Sequence, residues 1–124
     1  MIAWYQNGSL FFDVHPPLGK LMLTGFAEVC GFNGTDAFQD PYKPYSNSNY
    51  ICVRTMCSLC GASIVPLIIL GVFQFSSSKT TALLSGILLT FDNGLVTISQ
   101  YILLDPVQLM FHALTLCLFF KSCR

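Results

Sequence analysis

Two long runs of apolar residues constrain this chain more than any other feature of its sequence. Residues 51–75 are apolar except for Arg54 near the start and Gln74 near the end, and residues 80–120 form a second, longer run. About 20 apolar residues in one helix suffice to cross the hydrocarbon core of a bilayer. Only 10% of the 124 residues are charged, against roughly a quarter in soluble domains. The sequence therefore predicts an integral membrane protein.

The second apolar run is long enough for two crossings. Asp92-Asn93 and the polar residues 97–100 divide it. We therefore predict three transmembrane helices, at about 51–75, 80–97 and 101–120. The chain then has two regions: a loop region at 1–50 and a helical membrane region at 51–124. The predicted fold class is an all-α integral membrane protein.

One amphipathic helix is predicted within the loop region. It begins at Pro17, a residue suited to the first turn of a helix, and ends at Gly31. Lys20, Thr24 and Glu28 share one face. The opposite face is apolar and carries Leu18, Leu21, Met22, Gly25, Phe26 and Val29. Because this helix is too short and too polar to span a bilayer, we expect it to lie along the membrane surface or to pack on other helices.

The side of the membrane is indicated by glycosylation patterns and by basic residues. Asn7 and Asn33 each begin an Asn-X-Ser/Thr tripeptide and are candidate glycosylation sites, which favours a lumenal loop region. A lumenal start places Lys79, Lys121 and Arg124 on the cytoplasmic side, in agreement with the tendency of basic residues to stay there.

The cysteines fall into two groups. Cys57 and Cys60 lie inside an apolar run, and Cys117 and Cys123 lie at the end of another, so we interpret these four as free thiols. No second pair or nearby His completes a metal site around them. Cys30 and Cys52 lie in or beside the polar stretch, and they can pair if that stretch faces an oxidising lumen.

Several ionisable residues are expected at the lumenal edge of the membrane. The predicted topology gathers there Asp13, His15, Lys20, Arg54, Asp92 and Asp105. Ionisable groups within a bilayer are costly and usually face a cavity or a partner, so these are candidate functional residues. Lys20, Arg54 and a protonated His15 can hold a phosphate, while Asp92 and Asp105 can orient those cations or bind polar substrate groups.

Structural explanations compete with this interpretation. Arg54 can instead extend to lipid headgroups, and Asp105, directly before Pro106, can simply cap a helix. Nucleic acid is not an expected partner, because the formal net charge is zero and no basic field is present.

Two sequence blocks resemble the protein O-mannosyltransferase family. Residues 11–20, Phe-Phe-Asp-Val-His-Pro-Pro-Leu-Gly-Lys, closely resemble the family's signature in its first lumenal loop. Residues 99–106, which follow Phe91-Asp92, resemble the family's motif at the start of its fourth transmembrane helix. Gln100 stands where many fungal members have Arg, and the block looks more like the second animal subunit than the first.

The resemblance implies a multi-pass glycosyltransferase of the GT-C class in the endoplasmic reticulum membrane. Such an enzyme moves mannose from dolichyl-phosphate mannose to Ser or Thr hydroxyls of lumenal and secretory proteins. The family also implies a heterodimer with a paralogous subunit, and the chain would correspond to an N-terminal part of the fold. By the same resemblance His15, Lys20 and Arg54 contact the donor phosphate or the active site, with Asp92 and Asp105 as supporting groups.

The family's presumed catalytic base is an acidic residue of an Asp-Glu pair upstream of the His-Pro-Pro motif. Nothing in residues 1–10 matches that pair, so we expect no catalytic carboxylate in this chain and expect the chain alone to be an inactive fragment. Two alternatives remain: a non-catalytic membrane protein whose polar edge anchors it, and a short isoform that binds the partner subunit without catalysis.

Overall fold

The computed structural model describes residues 17–32 and 49–123, together with the single positions Ile2 and Gly8. Every element described along 17–32 and 49–123 is a helix, which confirms the all-α class for that part of the chain. The chain divides into two compact units, residues 1–56 and 57–124. In order, the helices are α1 Pro17–Val29, α2 Asn49–Ser76, α3 Lys79–Thr90, α4 Asn93–Ser99 and α5 Asp105–Ser122.

Helix α1 begins and ends where the sequence predicts, to within two residues. Pro17 is its first residue. At the other end Gly31 adopts a positive φ of 67°, and the amide of Phe32 donates to the carbonyl of Ala27 at 2.9 Å. The Gly31 amide donates to the Glu28 carbonyl, also at 2.9 Å. This pair of hydrogen bonds is the Schellman motif, which needs a left-handed residue and so explains the glycine.

The buried face of α1 mixes polar and apolar residues. Lys20, Leu23, Thr24 and Ala27 are buried, whereas Glu28 is exposed and Leu18 and Val29 are 60% and 84% exposed. A helix on a soluble protein would turn its apolar face inward. Exposed apolar side chains, as on α1, suit a helix whose apolar side meets lipid or other helices.

Two links join α1 to the start of α2 within the first unit. Cys30 and Cys52 form a disulfide, with Cα atoms 6.0 Å apart, which confirms the pairing that the sequence allowed. The side-chain amide of Asn49 donates to the carbonyl of Gly31 at 2.7 Å. Both links connect the residues just after α1 to the first turn of α2.

Helix α2 has the length and composition of a membrane-spanning helix. Its 28 residues extend over about 42 Å at 1.5 Å per residue, more than the thickness of a hydrocarbon core. Within the described residues, this is the one single helix that is long and apolar enough to cross a membrane.

The second predicted helix, 80–97, is wrong as an unbroken element. Helices α3 and α4 meet at a bend of 59° and form a further crossing only if they are taken together. The break lies at Phe91-Asp92, because the Asp92 carboxylate accepts a hydrogen bond from the amide of Gly94 at 3.0 Å and starts a new helix.

The third predicted helix, 101–120, is observed as α5 and begins four residues later, at Asp105. It carries Asp105, Gln108, His112 and Lys121 among its 18 residues, and it is not one of the helices apolar enough to span alone. The third crossing therefore stays a prediction.

Glycines mark the close contacts in the second unit. A Cβ atom added at Gly61 of α2 would collide with the side chain of Ser99 in α4, and one added at Gly86 of α3 would collide with Ile69 of α2. At Gly71 an added Cβ would lie 3.6 Å from the Cα of Cys117 in α5. Small residues let helix backbones approach closely, which drives association in lipid.

Eight hydroxyl groups in the described helices bond to the carbonyl three or four residues earlier. Donor and acceptor lie 2.6–2.8 Å apart in these bonds. The donors are Thr24, Thr55, Ser63, Ser76, Ser85, Thr90, Ser99 and Thr115. Each of these hydroxyls is therefore satisfied within its own helix.

The four cysteines predicted to be thiols are indeed unpaired with one another. Cys57, Cys60 and Cys117 are buried and Cys123 is exposed. The Cys57 thiol donates to the carbonyl of Leu103 at 3.8 Å, so it contributes to packing between α2 and the segment before α5.

We predict that Gly61→Ala lowers the stability of the full-length protein that contains this chain. The added methyl group must displace Ser99, and overpacking of this kind costs about 1–3 kcal/mol, more than the ~1 kcal/mol that alanine adds in helix propensity. Gly25→Ala is the matched control, because a Cβ there meets nothing within 4 Å. Thermal unfolding in detergent should show a lower Tm for Gly61→Ala only; equal values would contradict the close contact.

Candidate functional site

Lys20 is the most deeply buried of the candidate residues. It lies in the first turn of α1 and is 1% exposed, and its carbonyl accepts a hydrogen bond from the Thr24 hydroxyl at 2.8 Å. A lysine is almost never buried to this degree unless its charge has a partner. The Lys20 ammonium therefore belongs to the interior of the first unit and not to its surface.

Arg54 lies in the second turn of α2 and is exposed. It follows Cys52 by two residues, and the residue between them, Val53, is 1% exposed. The buried Val53 and the disulfide fix this turn, so the guanidinium extends from a rigid base. A guanidinium in that position can bind a phosphate bidentately, and the phosphate of a lipid headgroup satisfies the same geometry.

The two aspartates lie at helix starts in the second unit, and both are exposed. Asp92 caps α4 through its bond to the Gly94 amide. Capping, the competing explanation for Asp105, is not observed: the N-cap position of α5 is Leu104, with no side-chain cap hydrogen bond, and Asp105 occupies the first turn. Its negative charge still interacts favourably with the positive end of the helix dipole.

The structure groups the candidate residues only in part. Lys20 and Arg54 lie in the first unit, and Asp92 and Asp105 lie in the second. Candidates that lie outside the described residues are Asp13, His15, Asn7 and Asn33. The predicted gathering of all these groups at one membrane edge therefore stays a prediction.

A groove in the second unit was not anticipated from the sequence. Its volume is about 560 Å³, and its lining is mostly apolar. Ser58, Ser99 and Gln100 add polar groups, and the Ser58 hydroxyl donates to the Ser99 carbonyl at 3.1 Å across it. Gly61 and Ala62 are among the residues that line it.

Metal ligands do not gather in the part of the chain that the structure describes. No group of three or more His, Cys, Asp and Glu side chains within residues 17–32 and 49–123 is placed to hold a metal ion. Among the described candidates, Lys20 and Arg54 supply cationic groups in the first unit, and Asp92 and Asp105 supply anionic groups in the second.

Comparison with known proteins decides the family. The sequence model of the dolichyl-phosphate-mannose-protein mannosyltransferases matches residues 1–124. This chain belongs to that family. No solved structure matches the mannosyltransferase chain significantly.

Curated relatives agree with the family match. The chain is 44% identical over 111 residues to protein O-mannosyl-transferase 2 of Drosophila pseudoobscura pseudoobscura and 42% identical over 111 residues to the protein of that name from Danio rerio. Each match covers 90% of the chain and 15% of the relative. Identity to protein O-mannosyltransferase 1 of Drosophila melanogaster is 31% over 110 residues, covering 88% of the chain and 12% of the relative. The predicted likeness to the second animal subunit is confirmed, and the chain spans about 15% of the length of those subunits.

We predict that Asp92 stabilises the protein through the hydrogen bond of its side chain at the start of α4, and not through its charge. Asn caps helices as well as Asp does, so Asp92→Asn should preserve the Tm of the full-length protein, whereas Asp92→Ala should cost about 1 kcal/mol. Asp105→Ala, which removes no cap hydrogen bond, serves as the comparison. If Asp92→Asn proves as destabilising as Asp92→Ala, the carboxylate charge has a role that capping does not explain.

Proposed function

We propose that the full-length product of this gene transfers mannose from dolichyl-phosphate mannose to Ser or Thr hydroxyls of lumenal and secretory proteins. The observation that carries this proposal is the family match over all 124 residues. That match includes the His-Pro-Pro block at residues 11–20 and the block at residues 99–106, which both resemble motifs of the family.

The donor has a charged part and an apolar part, and the chain offers groups suited to each. We assign Lys20, Arg54 and His15 to the donor phosphate, with Asp92 and Asp105 as supporting groups. When the sugar leaves, negative charge grows on the phosphate oxygen that held it. Fixed cations in a dry site stabilise such charge far more strongly than they would in water. The burial of Lys20 and the rigid base of Arg54 favour that role.

The transfer step needs a base that these assignments do not include. The bond from the anomeric carbon to the phosphate oxygen breaks, a bond to the acceptor oxygen forms with inversion, and the hydroxyl proton passes to a carboxylate. We assign that carboxylate to the family's Asp-Glu pair, which would precede the His-Pro-Pro motif. We therefore expect the 124-residue chain alone to bind the donor weakly at most and to transfer no mannose.

We further propose that the enzyme is a multi-pass protein of the endoplasmic reticulum membrane with a GT-C fold. Residues 1–50 would lie in the lumen, and residues 51–124 would cross the membrane three times, with α5 as the third crossing. The disulfide between Cys30 and Cys52 supports a lumenal first unit, since disulfides persist in oxidising compartments. Lys79 and Lys121 would then lie on the cytoplasmic side.

A paralogous subunit is the partner that we propose. Relatives with both subunit names, protein O-mannosyl-transferase 2 and protein O-mannosyltransferase 1, match this chain. Because the chain resembles the second more than the first, its partner would be a protein of the first type. The acceptor is a Ser or Thr side chain of a protein that passes through the lumen.

The decisive experiment measures transfer of labelled mannose from dolichyl-phosphate mannose to an acceptor peptide in microsomes. The 124-residue chain is compared with the full-length gene product, each expressed with the paralogous subunit. Activity of the full-length form alone is the expected result. If neither form transfers mannose while both are present in the membrane, an anchoring or regulatory role would replace the enzymatic one.

We predict that Arg54→Ala reduces transfer by the full-length enzyme at least about 100-fold, the usual effect of removing one fixed charge-stabilising group. Arg54→Lys should recover only part of the rate, because an ammonium cannot bind phosphate bidentately. Lys79→Ala, an exposed cation at the start of α3, is the matched control and should keep normal transfer. Normal transfer by Arg54→Ala at equal expression would remove Arg54 from the site.

We predict that Asn7 and Asn33 both carry N-linked glycans. Treatment of microsomal protein with an endoglycosidase should increase its gel mobility, and Asn7→Gln and Asn33→Gln should each remove one step of that shift. The double variant should show no shift from this region. A mobility that neither Asn7→Gln nor Asn33→Gln changes would contradict the prediction that these two sites carry glycans.

A further inference from the structure

A disulfide at the surface of the first unit links the end of α1 to the start of α2. The disulfide links Cys30, directly after α1, to Cys52, in the first turn of α2, across 22 positions of sequence. Cys52 is exposed and Cys30 is only half-buried. A bridge with so little packing around it contributes by constraining the geometry of the two helices and not by adding to a hydrophobic core.

The disulfide also constrains the direction of α1, because the C-terminal end of that helix is rigid. The two hydrogen bonds of the Schellman motif fix the backbone on both sides of Cys30, and Phe32 is 7% exposed. The Asn49 amide adds a second link, to the Gly31 carbonyl at 2.7 Å. The direction in which α1 leaves this point is therefore set by its attachment to α2.

Both cations assigned to the donor phosphate depend on this attachment. Arg54 lies two residues after Cys52 on α2, and Lys20 lies ten residues before Cys30 on α1. At 1.5 Å per residue, Lys20 is about 15 Å from the bridge, so a tilt of about 10° there would move it by roughly 3 Å. Displacements of about 1 Å in a site can cost 100-fold in rate.

We propose that the Cys30–Cys52 disulfide is a positioning device for donor binding. It holds the helix that carries Lys20 at a fixed angle to the helix that carries Arg54, and so fixes the positions of the two cations that we assign to the donor phosphate. The inference rests on the proposed function, which supplies the phosphate. The bridge itself can be tested without any activity.

The first test asks whether Cys30 and Cys52 form a disulfide in the full-length protein in microsomes. The protein is denatured and treated with a polyethylene-glycol maleimide, with or without prior reduction by a phosphine. Cys30 and Cys52 should be labelled only after reduction, so the Cys30→Ser/Cys52→Ser variant should lose two labels in the reduced sample and none in the unreduced one. Loss of labels from the unreduced sample as well would show free thiols and overturn the proposal.

The second test measures the KM for dolichyl-phosphate mannose and kcat separately. Cys30→Ser, Cys52→Ser and the double variant should each raise that KM at least about tenfold, because the lost alignment weakens recognition of the donor. The three effects should be equal, since two residues that act as one unit are not additive. Cys123→Ser, which removes an exposed free thiol, is the matched control and should leave both parameters unchanged.

Chemical rescue separates positioning from a general loss of folding. Mild reduction of the native enzyme should raise the KM for the donor, bridging of the two thiols by dibromobimane should restore it, and capping with N-ethylmaleimide should not. An unchanged KM in the double variant would overturn the proposal, as would a loss of protein with no change in KM. Absence of transfer by the parent enzyme would refute the proposed function and the positioning role with it, while the labelling would still establish the bridge.

Discussion

The constraint on which this structure depends is that backbone amide and carbonyl groups cannot remain unpaired in a hydrocarbon environment. Each unpaired group there costs several kcal/mol, so a chain with long apolar runs must form helices. Helix α2 meets the constraint with 28 residues in one helix. Where the second apolar run is interrupted, Asp92 accepts the Gly94 amide with its own carboxylate and lets a new helix start. The 59° bend between α3 and α4 is thus possible because a side chain replaces the missing helical partner.

Association of these helices rests on small residues. In lipid the hydrophobic effect does not drive two helices together, so close backbone packing has to do so. Gly61 lies against Ser99, and Gly86 lies against Ile69. A groove of about 560 Å³, lined by residues of α2, α3 and α4, lies beside these contacts.

The sequence predicted the features that depend on local chemistry. Pro17 and Gly31 bound α1 as expected, since each residue fixes its own backbone angle. The family followed from the motifs at residues 11–20 and 99–106. The break at Phe91-Asp92 was placed as a polar patch inside a predicted helix, because composition does not distinguish a polar residue within a helix from one that caps a new helix. The bridge between Cys30 and Cys52 could only be stated as conditional on an oxidising compartment.

Features that depend on the surroundings of a residue were beyond the sequence. Nothing in the periodicity of α1 indicated that Lys20 and Thr24 would be buried while Leu18 and Val29 stay exposed, because the pattern is the same whether lipid or water lies outside. The choice between capping and another role for Asp105 was left open, because the sequence does not show which residue precedes the first turn, and Leu104 takes that position. The groove follows from packing between helices distant in sequence.

The internal hydroxyl bonds have a consequence for how the protein is made. Thr55, Ser63, Ser85, Thr90 and Thr115 all satisfy their hydroxyls on carbonyls of their own helix. A hydroxyl paired in this way does not need a neighbouring helix to be soluble in lipid. Helix α2, which is apolar enough to cross a membrane by itself, can therefore enter the bilayer without a neighbour to pair the hydroxyls of Thr55 and Ser63. Biogenesis can proceed in two stages, with insertion first and assembly of the glycine contacts afterwards.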